Sequence, residues 1–403
     1  MAEVMERKGE VKALEGDMAV AEAMRQINPD VVAAYPVTPQ TEIVMTFSGF
    51  VADGLVDTEF IPVESEHAAM SSCIGACSAG ARAMSATCGP GLELMWENFW
   101  IASGLHCPIV MAVVNRALAA PLSILTDQTD MMASRDTGWL QIFAENHQEV
   151  YDNFIQAVRI AEHPDVMLPI MSGHAGFVLG HTLGRLEVLP DEVVKEFVGE
   201  YRPAHSLLDV DHPKTFGCYD DHHYYFEHRY REHVSMKNAL RVIPEIGQEF
   251  GKISGRYYGL VEPYRLDDAE LAIVIIGSGA GACREAIDEM REKGMKAGML
   301  KVRCFRPFPA DEIVKALKDK KAMATMDRAE IFGAEEGAGP LYTETCSAFF
   351  NRGILANIID YVYGLGGRDT VPSEFCDIFH ELSKIARIDE IKPPRIRFLS
   401  LRE

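Results

Sequence analysis

Short apolar runs alternate with longer segments of helical period through the first half of the chain, and that alternation leaves few folds open. "VVAAYPVTP" reads as a buried strand closed by a proline turn, and "TEIVMTFSGFVADG" as a helix stopped by glycine. "DTEFIPVE" is a second strand, and "SEHAAMSSCIGACSAGA" has the small residues of a tightly packed helix. "RAMSAT" runs as a strand into "CGPG", "LELMWENFWIASG" follows as a helix, and "CPIVMAVVNR" is the clearest buried strand. "NHQEVYDNFIQAVRIAEHPDVMLPIMSG" adds a further helix and strand. Strands of about four to eight residues between helices of about ten or more predict βαβ units and a mostly parallel α/β sheet. Ligands approach such sheets at the carboxyl ends of the strands. Thr38, Glu64 or Glu66, Cys88 and Arg116 all fall at or just past those ends.

Residues 182–260 read as more irregular, polar and aromatic, with a connector among them. A second strand, glycine turn, helix and strand begin at "ELAIVIIGSGAGACREAIDEMREKGMKAGMLKVRCFRPFP", and "KAMATMDR" and "GILANIIDYVYGLGG" supply more elements. The domain change is expected near 240–265, giving residues 1–250 and 251–403; a chain of 403 residues can bury more than one core. No run of 18 apolar residues predicts a membrane span. The N-terminus "MAEVMERKGEVKALEGD" lacks an apolar signal core, so a cytoplasmic location is expected. A net charge of −21 would repel polyanions, which argues against nucleic acid as a ligand. The nine cysteines form no CxxC pair and read as reduced thiols; any iron–sulfur cluster belongs to another polypeptide.

Each candidate site residue has a plain structural alternative. Pro36 and Pro39 stiffen the corner around Thr38, which pre-orders its hydroxyl; alternatively Thr38 or Thr41 caps the next helix. Glu64 and Glu66 follow a strand, where a buried carboxyl can share a proton with a ring nitrogen or merely sit in a first helical turn. Gly89 and Gly91 permit close backbone approach or form a tight turn, and Cys88 has no evident base to make it a nucleophile. Arg116 ends a strand where a guanidinium can pair with a carboxylate; Asp127, Asp130, Arg135 and Asp136 read as a surface ion network and match no Mg²⁺ motif. Gly277, Gly279 and Gly281 lack the full dinucleotide pattern and fit close strand–helix packing. "DDHHYYFEHRYREH" at residues 220–233 reads as an exposed aromatic linker or interface; His223 and His228 alone make an incomplete zinc set.

The order of motifs resembles the alpha subunit of the 2-oxoacid:ferredoxin oxidoreductases, the pyruvate synthase family. "AYPVTPQTEI", "ESEHAAMSSCIGACSAGAR", "VNRALAAPLSILTDQTDMMASRDTGWLQIFAEN", "LKVRCFRPFP" and "GLGGRD" carry the resemblance from position 34 to 369. It implies a thiamine diphosphate enzyme of separate subunits. The first domain would bind the cofactor's pyrimidine, and the second would resemble the transketolase C-terminal domain. A beta subunit would hold the diphosphate, Mg²⁺ and a nearby iron–sulfur cluster. Gamma- and delta-type subunits would bring coenzyme A contacts and further clusters, with ferredoxin or an NAD-linked subunit as acceptor. By the same resemblance Glu66 bonds the aminopyrimidine ring and favours its imino form, Thr38 contacts substrate, and Arg116 meets the substrate carboxylate or carbonyl. Cys88 and Gly89 lie in the cofactor-facing run, and Glu64 becomes a structural neighbour.

That run departs from the family, which usually has serine, serine, glutamine and glycine where this chain has "TCGPG". A bulkier 2-oxoacid, including an aromatic one such as phenylglyoxylate, is one expectation. A non-redox carboligase component and a noncatalytic assembly subunit are the other readings carried forward.

Overall fold

The computed structural model describes residues 9–388 and 395–402. The start of the acidic N-terminus, residues 1–8, lies outside the described residues. The first half runs β1 (Glu10–Glu15), α1 (Gly16–Ile27), β2 (Val31–Ala34), α2 (Thr41–Ala52), β3 (Glu59–Pro62), α3 (Glu66–Ser78) and β4 (Ala83–Thr87). It continues with α4 (Gly89–Leu94), α5 (Trp96–Gly104), β5 (Val110–Asn115), α6 (Thr129–Ala133), β6 (Leu140–Phe143), α7 (His147–Ala161) and β7 (Ile170–Ala175). β8 (Leu183–Val188), α8 (Asp191–Val198) and the long α9 (Tyr225–Ser254) complete it. Six of these strands form one parallel sheet in the order β6-β7-β5-β4-β2-β3. β1 and β8 pair separately as an antiparallel ribbon.

The second half contributes β9 (Val261–Tyr264), β10 (Leu271–Ile275), α10 (Gly279–Glu292), β11 (Ala297–Val302), β12 (Cys304–Arg306), α11 (Ala310–Leu317) and β13 (Ala322–Asp327). α12 (Pro340–Phe350), β14 (Ile358–Val362), α13 (Pro372–Ile385) and β15 (Ile396–Phe398) follow. The order β15-β14-β13-β10-β11-β9 is parallel apart from the antiparallel edge strand β9. β12 instead returns to the first sheet and pairs antiparallel with β6.

Strands covered on both faces lack the polar alternation of half-exposed ones, and β5 is buried throughout. Its side chains divide between two cores: Val110, Ala112 and Val114 enter one, Met111 and Val113 the other. β10 divides likewise, with Ala272 and Val274 in the core that holds Met111 and Val113, and Leu271, Ile273 and Ile275 in a third. The two sheets thus share their middle core.

Three expectations need correction. Residues 182–260 are far more regular than their composition suggested, because α9 buries Ala239, Val242, Ile243, Ile246 and Phe250 along one stripe. The expected linker at 220–233 becomes helical from Tyr225, although Tyr225, Phe226 and Tyr230 are exposed as anticipated. There the His228 imidazole pairs with Asp220, while His223 is exposed. "LELMWENFWIASG" is two helices that break at Met95. Gly277 (φ +74°) and Gly279, where a Cβ would lie 2.4 Å from Tyr363 Oη, do serve close packing.

A buried charge node joins the halves. Lys301 Nζ at the end of β11 lies 2.7 Å from Glu145, 2.6 Å from Glu149 and 2.6 Å from Glu262. Burial lowers the Lys301 pKa, but the three carboxylates outweigh it and hold the ammonium above the ordinary lysine range. Arg284 adds bonds to Glu145 at 3.0 Å and Glu262 at 2.7 Å. Lys301→Met leaves these carboxylates short of a cation and is expected to cost about 3–5 kcal/mol. Denaturant unfolding measures it; a loss under about 1 kcal/mol would show that the node behaves like a surface pair.

Candidate functional site

The proline corner after β2 is pinned from beneath. Gln40, fully buried, accepts from Val37 N at 3.1 Å and donates to Ala86 O on β4 at 2.9 Å. Thr38 is exposed, and its hydroxyl caps nothing: α2 has Gln40 at its N-cap with no side-chain capping bond. The capping alternative for Thr38 and Thr41 therefore fails. The Thr38 carbonyl is a meeting point, accepting from Arg116 Nη1 at 2.8 Å and Cys88 Sγ at 3.1 Å. Three strand ends, of β2, β4 and β5, are tied at that oxygen.

Glu66 opens α3, with Ser65 as N-cap accepting from Ala68 N at 3.2 Å. The first-turn position and the buried carboxyl hold at once, since Glu66 is 7% exposed, whereas Glu64 is exposed. Between Glu66 and Arg116 lies the turn formed by Gly89, Pro90 and Gly91. A Cβ on Gly91 would stand 2.4 Å from Glu66 Oε1 and 2.8 Å from Thr87 Oγ1. On Gly89, whose φ is +45°, it would stand 2.5 Å from Arg116 Cγ. The tight turn and the close approach are one feature: bare backbone separates the acid from the guanidinium. Thr87 Oγ1 and Arg116 Nε are buried with no hydrogen-bond partner among the described residues, so the site keeps unused polar capacity.

The expected surface ion network is half wrong. Asp127 and Asp130 are buried, at 3% and 0% exposure, because the loop after β5 folds back over the strand ends. Asp130 accepts from Gly89 N and Arg116 N at 3.0 Å each, Asn115 Nδ2 at 2.9 Å and Met131 N at 2.8 Å. Burial pushes its carboxyl up to about 6; bonds from Arg116, Asn115 and Gly89 pull back, and the nearby Asp127 adds to the rise. Asp127 accepts from Gly366 N at 3.1 Å, and the Gln128 amide donates to Arg328 O at 2.9 Å, so this loop touches the second half directly. Arg135 and Asp136 do lie near the surface, 3.8 Å apart. Asn115 and Gln40 were not singled out from sequence, and Asp130 was read only as part of a surface network; their work is hydrogen bonding to backbone or to a neighbouring carboxylate, which residue type alone does not mark.

Burial first, and Asp130 after it, push the Cys88 thiol up to about 12, the Gln40 amide and Arg116 acting against them. Cys88 is therefore a neutral hydrogen-bond donor rather than a thiolate nucleophile. The residues that remain are a buried acid, an exposed hydroxyl and a guanidinium around one glycine turn, groups able to exchange a proton and to bind an anion.

Two family models match the chain. Residues 22–248 match "Pyruvate flavodoxin/ferredoxin oxidoreductase, thiamine diP-bdg" and residues 269–375 match "Pyruvate:ferredoxin oxidoreductase core domain II". Pyruvate synthase subunit PorA of Thermotoga maritima is 50% identical over 99% of this chain and 100% of its own length. Ketoisovalerate oxidoreductase subunit VorA of Pyrococcus abyssi is 41% identical over 95% of this chain and 96% of its own. Among solved structures, the 2-oxoglutarate:ferredoxin oxidoreductase of Magnetococcus marinus superposes with a TM-score of 0.72 at 16% identity, over 94% of this chain and 66% of that longer one. An inactive split-gene transketolase tetramer gives 0.55 at 12% identity, over 93% of this chain and all of that one. These structural likenesses are of fold.

Gly91→Ala tests the packing of the rim. The added methyl must displace the Glu66 carboxyl or the turn, at an expected cost of about 1–3 kcal/mol. Denaturant unfolding reads it, and an unchanged midpoint would mean that Glu66 swings away freely.

Proposed function

Because this chain belongs to the pyruvate flavodoxin/ferredoxin oxidoreductase family, we propose that Glu66, Arg116 and Thr38 form its share of a thiamine-dependent active site completed by another subunit. The chain is the alpha subunit of a 2-oxoacid:ferredoxin oxidoreductase complex. That complex oxidatively decarboxylates a 2-oxoacid to an acyl-CoA and CO₂, with thiamine diphosphate as cofactor and onward electron transfer. The observation that carries the residue assignment is the buried Glu66 carboxyl, held by α3 against the side-chain-free Gly91.

Glu66 would hold the aminopyrimidine of the cofactor and keep a proton at its carboxyl oxygen for exchange with the ring. Bound thiamine diphosphate supplies the electron sink for decarboxylation. Arg116, with Nη1 spent on the Thr38 carbonyl, presents the other end of its guanidinium to the substrate carboxylate or carbonyl. The Thr38 hydroxyl, exposed at the corner, orients the same acid. Cys88 and Gly89 shape the cofactor-facing wall through the bonds to Thr38 O and Asp130.

In this reading residues 1–250 are the pyrimidine-binding half with its connector, and residues 251–403 the transketolase C-terminal-like half. A beta subunit holds the diphosphate with Mg²⁺ and an iron–sulfur cluster, and gamma and delta subunits carry further clusters and coenzyme A contacts. Ferredoxin or an NAD-linked subunit takes the electrons, and the assembly works in the cytoplasm. Half-identity to a pyruvate synthase subunit makes pyruvate the first acid to test. The run at residues 87–91 favours a second reading, a bulkier acid such as phenylglyoxylate, because the glutamine usual in the family is missing from this turn beside Arg116 and Glu66.

In the assembled complex, Glu66→Ala is expected to lower turnover by about 10²–10⁴-fold; near-normal decarboxylation would mark an assembly subunit instead. Arg116→Leu should raise KM for 2-oxoacids while thiamine content stays normal. Loss of thiamine in that variant would move Arg116 to the cofactor. A panel of pyruvate, branched-chain and aromatic acids, assayed by viologen reduction with coenzyme A, decides the substrate.

A further inference from the structure

Asp130 is the only carboxylate among the described residues whose hydrogen bonds join the Gly89 turn and the Arg116 backbone. It is fully buried and spends both oxygens, each on two N–H groups: Oδ2 on Gly89 and Arg116, Oδ1 on Asn115 Nδ2 and its own neighbour Met131. A fully engaged buried carboxylate has one orientation, because any rotation strands donors without acceptors. We propose that Asp130 is a positioning residue that sets Arg116 and the Gly89 turn in register with each other. Its role in the reaction rests on the substrate role proposed above for Arg116.

The geometry shows why such a part is needed. Gly89 lies so close to Arg116 that a single methyl would overlap Cγ, so a small drift of the turn moves the guanidinium stem. The far end of Arg116 is tied to the Thr38 carbonyl by Nη1. The near end is held at the Arg116 amide by Asp130, beside Asn115, which pairs with Ala175 on β7. Asp130 also sits three residues after Asp127, whose carboxylate accepts from Gly366 in the second half. The loop bearing both aspartates is therefore braced against the C-terminal ends of β13 and β14, through Arg328 O and Gly366 N.

Asp130→Ala removes both carboxylate oxygens. All four N–H groups, of Gly89, Arg116, Asn115 and Met131, then lose their acceptor. The test uses the assembled complex, with hydrogen–deuterium exchange at the Gly89 and Arg116 amides and steady-state kinetics with pyruvate or the best acid of the panel. Exchange at those amides should quicken. kcat/KM should fall roughly 10- to 100-fold, chiefly through KM, with thiamine content and assembly unchanged. Asn115→Ala, which keeps the carboxylate and three of its four bonds, should give a smaller change in the same sense, and it carries the test if Asp130→Ala fails to assemble. Unchanged exchange at both amides overturns the proposal, as does quickened exchange with intact kinetics. An Arg116→Leu complex with unaltered KM would instead sink the substrate role of Arg116, and the exchange result would still decide whether Asp130 holds the two amides.

Discussion

A parallel sheet with helices on both faces has little left to offer a ligand except the ends of its strands. In the first sheet those ends belong to four neighbours, β5, β4, β2 and β3, and each delivers one part of the site within a few residues of its last hydrogen-bonded pair. The side chains converge because the strands are adjacent, although 78 residues separate Thr38 from Arg116 in sequence. What keeps them converged is backbone hydrogen bonding at the rim: the Thr38 carbonyl gathers Arg116 and Cys88, and the Asp130 carboxylate gathers Gly89 and Arg116. Loss of either hub would leave buried polar groups unmatched, which is costlier than the loss of one contact.

Rigidity behind the rim comes from the way the halves are joined. The middle core takes Met111 and Val113 from one sheet and Ala272 and Val274 from the other, so the boundary between halves is packed like an interior. Lys301 with its three carboxylates adds a directional lock to that apolar contact. Such a buried node contributes little net stability against a well-packed apolar alternative, but it tolerates no relative slippage of the charges.

Much of the fold was legible because strand and helix periods alternate cleanly from Val31 to Ala175. The positions of Thr38, Glu64 or Glu66, Cys88 and Arg116 at strand ends followed from that alternation alone, and the resemblance chose Glu66. β6 escaped notice because "LQIF" is four residues long and sits in a polar neighbourhood. α9 was hidden by the exposed tyrosines and histidines at its start, since its buried apolar stripe begins only at Ala239. Asp127 and Asp130 were misplaced for a different reason: short acidic loops are normally solvated, and only the fold shows that theirs turns inward. The pairing of the halves through Lys301 could not be read at all, since it depends on which sheet each charge faces.

The return of β12 to the first sheet has a consequence for how this polypeptide could be divided. Cys304 and Arg306 cover the outer edge of β6, the side on which its backbone amides and carbonyls would otherwise face solvent. A fragment ending after α9 would carry that bare edge, a template for pairing with another copy of itself. The matching C-terminal fragment would carry an orphan strand with nothing beside it. Expression of the two halves as separate polypeptides would therefore favour self-association of the first, and co-production of both would be needed to sheathe the edge.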